Sequence, residues 1–450
     1  MDLAAHVEDR SRRGIAAAVS RLVRTGELQP GDRLPTVREL AADLSVSPAT
    51  VSGAWQALGA VGLVVSRGRS GTFVLPEPAS WLPPRYRDLA TGGAATWLDL
   101  SSGTPDPALL PALGPALARV AARSPAADTG TYLSAPLVEP LDKLLRASWP
   151  FTPQRLTVVD GAVDALSRTL EQVARFGGRV AVEDPGFPPL FDLLDQLGLE
   201  RVPVQLDRQG MRPDVLAAAL AAGATVVVLQ PRAHNPTGIS MSPTRTRELA
   251  SVVRRHMAGP TNPVVHVIED DHSGEISSAR DVSLGSFLAD RVVHVRSYSK
   301  SHGPDLRIAA VGGPASVLDG LVARRMLGPG WTSRLLQHVL VDLLTDGDAL
   351  DAVASARRVY FARRRALCEA LAGYGVQIEP GDGLNLWLPV RDEQIALVRL
   401  AAAGIRAAPG TPFVAAPPAD DTGGHVRVTV GLVRDEFDAV ARVLALAAAD

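Results

Sequence analysis

Val292-Val293-His294-Val295-Arg296-Ser297-Tyr298-Ser299-Lys300, followed by Ser301-His302-Gly303-Pro304-Asp305-Leu306-Arg307, decides how the chain is read. It is a β-branched apolar strand running into a polar loop broken by glycine and proline. Lys300 stands out against the composition. Of 46 basic residues only Lys143 and Lys300 are lysines, which leaves 44 arginines. A chain that uses arginine for surface charge has little solvation reason to place a lysine here. Lysine, unlike arginine, can shed its proton and attack a carbonyl as an amine. The functional reading is a Schiff-base lysine that holds an aldehyde cofactor. The plain alternative is a lysine at a strand end, its stem laid on apolar surface.

Outward from this stretch, similar runs recur: 156–160, 179–184, 224–231, 264–271 and 308–313. They lack the period-two alternation of a half-exposed strand and are separated by helical stretches. Such runs suit a mostly parallel sheet covered by helices on both faces, an α/β fold. Polar motifs follow the strands, at the edge where open α/β sheets bind ligands. Asp160-Gly161-Ala162-Val163 opens a helix, and small residues there let backbone N–H groups approach an anion. Glu183-Asp184-Pro185-Gly186-Phe187 offers an aromatic face for a planar ring, or a core phenylalanine. Pro231-Arg232-Ala233-His234-Asn235-Pro236-Thr237-Gly238 presents Asn235, which can donate to a phenolic oxygen. Glu269-Asp270-Asp271-His272 ends an apolar strand. A carboxylate there needs a cation, such as a protonated pyridine nitrogen. A metal is the rival reading, but no other His/Cys spacing supports one. Arg307, seven residues past Lys300, can grip a phosphate in bidentate fashion with Ser297 and Ser299 beside it.

Length and composition set bounds. A chain of 450 residues is too long for one ordinary core. The single cysteine, Cys368, permits no intramolecular disulfide and suits a reducing cytoplasm. No apolar signal core opens the chain, and the longest weakly polar run, 216–229, is short for a membrane span.

The first 75 residues read differently. Ile15, Val19, Leu22 and Val23 fall at helical spacing, predicting a helix over about 8–25. Thr36 and Glu39 form a capping box for a second helix. Ser47 caps a third, with Pro48 in its first turn. Strands are expected near Leu63-Val64-Val65 and Thr72-Phe73-Val74, with a basic turn between them. This is a winged helix-turn-helix layout. The third helix would enter the major groove with Ser47, Thr50 and Ser52 at its leading end. Arg33, Arg38, Arg67 and Arg69 would meet phosphates or the minor groove. Residues 1–75 carry 9 Arg against 7 Asp plus Glu, so the case rests on clustering. A three-helix protein-binding module is the competing reading. Residues 76–96, rich in Pro, Gly and Ala, read as a semi-stiff tether. Trp81 and Tyr86 within it read as incidental contacts.

The segment GDRLPTVRELAADLSVSPATVSGAWQALGAVGLVVSRGRSGTFV resembles the winged-helix domain of GntR-type bacterial transcription factors. It departs at Pro48, where an arginine is usual, and at Trp55, where a tyrosine is usual. Over residues 97–450 the order of anion cradle, aromatic, Asn, Asp, Lys and Arg resembles fold-type I aminotransferases with large and small subdomains. Together the two resemble the MocR subfamily of GntR regulators.

The resemblance implies pyridoxal 5'-phosphate in a cytoplasmic homodimer, arranged head to tail, that reads an operator in double-stranded DNA. It implies Lys300 as the Schiff-base residue, Asp270 on the pyridine nitrogen, Phe187 on the ring and Asn235 on the ring hydroxyl. Gly161, Ala162, Ser297, Ser299 and Arg307 would hold the phosphate, and Tyr132 would reach the partner subunit's cofactor. Arg427, with Asn385 in the same pocket, would take the carboxylate of an amino acid or amine effector. His272 stands where relatives often carry a tyrosine toward the ring oxygen, and its charge is expected to depend on pH. An aminotransferase with an accessory domain remains the alternative, and an empty dimerising domain a third.

Overall fold

The computed structural model describes residues 3–7, 9–24, 26–60, 64–68, 71–75, 82–90, 96–123, 129–259, 263–416 and 424–449. Two compact units emerge, Met1–Pro83 and Pro84–Asp450.

In the first unit, α1 spans Arg12–Arg24, α2 Val37–Asp43 and α3 Pro48–Ala60. Three short strands, β1 (Arg33–Leu34), β2 (Val64–Ser66) and β3 (Thr72–Val74), form an antiparallel sheet in the order β1-β3-β2. The helix expected over 8–25 is trimmed to α1, and Leu63 lies outside the described residues. β1 is two residues long and has no periodicity to announce it. The capping box is present: Glu39 N–H donates to Thr36 Oγ1 at 3.3 Å and Thr36 N–H to Glu39 Oε2 at 2.8 Å. Ile15, Val19, Leu22, Leu40, Val51 and Leu58 close the core.

The second unit opens with α4 (Pro84–Ala90), inside the stretch expected as tether, and β4 (Leu98–Asp99). Its centre is an eight-stranded sheet of β5 (Arg155–Val159), β6 (Arg179–Asp184), β7 (Glu200–Asp207), β8 (Gly210–Met211), β9 (Ala224–Leu229), β10 (His266–Asp271), β11 (Val292–Ser297) and β12 (Ala309–Gly313). Their order is β5-β12-β11-β10-β9-β6-β7-β8. β11, β10, β9, β6 and β7 pair parallel in sequence across the sheet. β12 runs antiparallel to both β11 and β5. The continuous apolar runs are explained by burial on two sides. Val180, Val182, Ile268 and Val293 enter one core, while Ala181, Val267 and Val292 enter the other. β7 escapes sequence reading because it is only partly buried and contains Pro203.

Because β12 is reversed, its start lies where its neighbours end. Arg307, two residues before β12, is thereby brought to the edge where β5, β6, β9, β10 and β11 end.

The C-terminal part holds β13 (Leu386–Val390), β14 (Ile405–Arg406), β15 (Ala408–Pro409) and β16 (Gly424–Val428). β13, β16 and β15 form an antiparallel sheet, and β14 pairs parallel with β4. Val426 and Val428 enter its core. Arg427 between them therefore points from the opposite face, by strand alternation. No helix among the described residues is long and apolar enough to cross a membrane.

Candidate functional site

The carboxyl ends of the parallel strands converge on Asp270. It is buried, 2% exposed, near the end of β10. Gln230 Nε2–H donates to its Oδ2 at 2.8 Å, while Oδ1 is buried with no partner. Burial pushes the carboxyl up to about 6, against the lowering effect of Gln230. Half of this carboxylate thus lacks the donor that a buried charge requires. Phe187, which precedes the Pro188–Gln196 helix, lines one small cavity with Gly186, Gln230 and Asp270.

Gln230 was missed in the sequence, although a lone amide ending the run Val226-Val227-Val228-Leu229 is a visible signal. It organises three neighbours. Its Oε1 accepts from Asn235 N–H at 2.8 Å, its Nε2 holds Asp270, and its own N–H donates to Glu183 Oε2 at 2.8 Å. Asn235 is buried, and its Oδ1 accepts from Asn385 Nδ2 at 3.2 Å. Asn235 therefore has its amide N–H groups to offer. Asn385, placed with the effector arginine by resemblance, also couples directly to Asn235.

Lys300 is half-buried in the loop after β11. Its Nζ donates to the Gly103 carbonyl at 2.5 Å. Burial lowers the amine to about 8; Arg427 adds to this and Asp270 opposes it. Arg427 is 3% exposed, and burial lowers it to about 10. It donates to the Ser101 carbonyl, and its guanidinium lies 5.3 Å from the Phe413 ring centre. Its Nε is buried without a partner, and among the described residues no carboxylate forms an ion pair with it. Ser101 and Gly103 thus join the lysine to the arginine, a link that sequence reading missed. Gly103 has φ +64°, and a Cβ there would stand 2.5 Å from Arg427 Nη1.

The anion cradle assembles at the same edge. Gly161, at φ +103°, precedes the Ala162–Val173 helix. Arg307 adopts a left-handed conformation and donates to the Asp160 carbonyl at 2.7 Å. The Asp160 carboxylate is fixed by Thr332 Oγ1 at 2.7 Å and by Arg325 at 3.1 Å. Ser297 is buried, and its Oγ accepts from Ser299 N–H at 3.3 Å.

His272 differs from its sequence expectation. Its Nε2 lies 3.0 Å from the Ala233 carbonyl, so Nε2 carries the proton and Nδ1 is left as an acceptor. Burial, with Lys300 nearby, lowers it to about 4. The imidazole is neutral at physiological pH, and its one N–H is already committed. The neighbouring acids are also occupied. Asp271 pairs with Arg232, and Glu269 accepts from Ser283 and Leu284 at 2.6 Å and contacts His294 Nδ1 at 2.8 Å. Asp271, Asp281 and His294 cluster closely, but Arg296 also pairs with Asp281 at 3.2 Å. Two guanidiniums fill the charge role of a cation there.

Tyr132 is 83% exposed and meets Trp331 edge-on at 6.0 Å. In the first unit, Ser47 Oγ accepts from Thr50 N–H at 3.2 Å and lies 2.9 Å from Thr50 Oγ1. Arg33, Arg38, Ser47 and Arg67 are exposed, Thr50 and Ser52 half-buried, and Arg69 lies outside the described residues. Arg67 sits 5.4 Å from the Phe73 ring centre, which braces the wing.

Residues 95–444 match the family Aminotransferase class I and II, and residues 11–74 the Bacterial regulatory proteins, gntR family. The Vitamin B6 salvage pathway transcriptional repressor PtsJ of Salmonella typhimurium is 35% identical over 95% of this chain and 96% of that protein. The HTH-type transcriptional regulator TauR of Rhodobacter capsulatus is 30% identical over 86% of each. LysN, the alpha-aminoadipate aminotransferase of Thermus thermophilus, solved with N-(5'-phosphopyridoxyl)-L-leucine, superposes with a TM-score of 0.70. It is 22% identical over 81% of this chain and 94% of that one, a likeness that shows the fold alone. A GntR head on a fold-type I aminotransferase body defines a class of transcription regulator. The chain belongs to the MocR subfamily of that class.

Proposed function

We propose that this regulator holds pyridoxal 5'-phosphate in its second unit and reads operator DNA with its first, with DNA affinity set by the cofactor or by an amine that reacts with it. The observation that carries the proposal is the unpartnered Oδ1 of buried Asp270 in the cavity that Phe187 lines. A protonated pyridine nitrogen supplies the missing donor. Lys300 presents the amine to which the aldehyde attaches, and its lowered proton affinity keeps that amine reactive. Asn235 orients the ring hydroxyl, and neutral His272 offers its Nδ1 lone pair beside it. Gly161, Ala162, Ser297, Ser299 and Arg307 receive the phosphate. When bound, the cofactor supplies an electrophilic carbon and an electron-withdrawing ring.

Arg427, buried without a carboxylate, would receive the α-carboxylate of an amino acid effector. Exposed Tyr132 would complete the neighbouring site in a head-to-tail homodimer, in the cytoplasm, where the DNA lies. Arg33, Arg38, Ser47, Thr50, Ser52, Arg67 and Arg69 would form the DNA surface. A ligand shifts DNA affinity only by binding two arrangements unequally.

The test is a spectral titration with pyridoxal phosphate in wild type and Lys300→Ala, then titration of a duplex selected from a random pool, with and without cofactor and amino acids. A near-visible band that depends on Lys300, and a DNA affinity that changes with loading, are expected. Equal DNA affinity in every state overturns the regulatory reading. Lys300 beside Arg427 also favours a second reading, transamination, which sustained turnover with amino and keto acid pairs would reveal.

A further inference from the structure

Two acids stand at the anion cradle, where a phosphate would meet them. Asp160 precedes Gly161, and Asp164 lies in the first turn of the Ala162–Val173 helix. Asp164 Oδ2 accepts from Asp160 N–H at 3.1 Å, which holds the two together. An acid in the first turn suits the helix dipole, yet it competes with a phosphate for the same positive end. A phosphate monoester carries a charge of about −1.5 to −2 at pH 7, so both carboxylates oppose it.

A single guanidinium counters both acids. Arg325, in the last turn of the Ala315–Met326 helix, is buried, with its side chain 2% exposed. Its Nη1 donates to Asp164 Oδ2 at 2.9 Å and its Nη2 to Asp160 Oδ2 at 3.1 Å. Nη2 also donates to Thr332 Oγ1 at 3.3 Å, and that hydroxyl donates to Asp160 Oδ1 at 2.7 Å. Nε donates to the Gly330 carbonyl at 3.4 Å. Arg168 Nε takes the other oxygen of Asp164 at 2.8 Å. Two carboxylates thus face two guanidiniums, and the charge of Arg307 is left for the ligand. Among the described residues Arg307 pairs with no carboxylate, and its guanidinium donates to the Asp160 carbonyl at 2.7 Å. The carbonyl that aims Arg307 therefore belongs to the residue that Arg325 and Thr332 lock.

We infer that Arg325 is a positioning residue for the cofactor's phosphate: it neutralises Asp160 and Asp164 and fixes the carbonyl that aims Arg307, so that the cradle selects a phosphorylated aldehyde over its unphosphorylated form. This rests on the proposed function and adds to it the part of the ligand that is selected. Arg325 acts through the two acids rather than by touching the ligand.

The experiment uses the full-length chain and two probes, pyridoxal phosphate and pyridoxal, each followed by its near-visible band at Lys300. Arg325→Gln should weaken pyridoxal phosphate by about tenfold, the scale of one uncompensated like charge near a protein surface, and leave pyridoxal within about twofold. Adding Asp164→Asn should recover most of the loss, because a charge that Arg325 opposed is then gone. A merely structural role would weaken both aldehydes alike. Parallel losses, unchanged affinity for pyridoxal phosphate, or no recovery in the double variant overturns the inference and leaves the Lys300 reading standing. Should Arg325→Gln fail to fold, Asp164→Asn alone decides. With Arg325 and Arg168 less offset, it should tighten pyridoxal phosphate about threefold and leave pyridoxal unchanged. Unchanged or weaker binding of pyridoxal phosphate there overturns the inference. Absence of the band with both aldehydes in wild type overturns the Lys300 reading as well.

Discussion

Gln230 holds one oxygen of Asp270 at 2.8 Å and leaves the other buried and bare. The pair is therefore a receptor kept at a cost. Asp270 binds its proton more tightly in the folded chain, with its pKa raised from 3.8 to about 6. The sign is set by linkage. Between those values the folded state holds the proton that the unfolded state has released, so rising pH disfavours folding. The penalty is complete above about 6 and amounts to roughly 2–3 kcal/mol for a two-unit shift. Asp270→Asn should then stabilise the cofactor-free protein at neutral pH and lose that advantage near pH 4. It should also weaken pyridoxal phosphate binding at least about tenfold by removing a charge-assisted hydrogen bond. Thermal melts at the two pH values, with a cofactor titration, check both halves.

Lys300 attacks as a free amine, so its loading rate should track deprotonation with a midpoint near its lowered value of about 8. Burial is the main cause and Arg427 the second. Arg427→Gln removes the nearby positive charge, so the midpoint should move upward and loading at pH 7 should slow. Stopped-flow absorbance across pH measures this directly. A midpoint unmoved by Arg427→Gln would assign the whole shift to burial.

Much of the site was legible because its residues end apolar strands, where a lone Lys, Asp or Asn is conspicuous. The order Gly161, Phe187, Asn235, Asp270, Lys300, Arg307 could be read along the chain alone, since parallel strands place their ends on one edge. What escaped were contacts made across the chain. Gly103 meets Lys300 from 197 positions away, and Asn385 meets Asn235 from 150. No local pattern encodes such pairs. The helix at Pro84–Ala90 escaped because a tether was expected there, and seven residues leave little periodicity to read. His272 was identified by position, but its proton state depended on the Ala233 carbonyl.

That proton state gives a third expectation. With Nε2–H committed at 3.0 Å and the pKa near 4, His272 stays neutral through the physiological range. Charging it opposes burial, so folded stability falls as pH drops from the ordinary histidine value toward about 4. The His272 ring resonance, assigned by its loss in His272→Gln, should not shift between about pH 6 and 8, where an ordinary histidine titrates. A titration in that window would mean that the Ala233 contact opens in solution.

The wing offers a test independent of the cofactor. Arg67 is exposed, with its guanidinium 5.4 Å from the Phe73 ring centre. If it meets a phosphate, Arg67→Ala should weaken binding to all duplexes alike and reduce the salt slope by about one ion. Ser47 works differently, because its hydroxyl is shared between capping Thr50 N–H at 3.2 Å and facing outward at the head of α3. Ser47→Ala should cost about 1 kcal/mol of first-unit stability through the lost cap. Ser47→Asp keeps the cap but places a negative charge against DNA. It should therefore retain stability and lose affinity, and melting alongside binding isotherms at two salt concentrations separates the two roles. Equal DNA affinity for wild type and Ser47→Asp would remove the leading end of α3 from the interface.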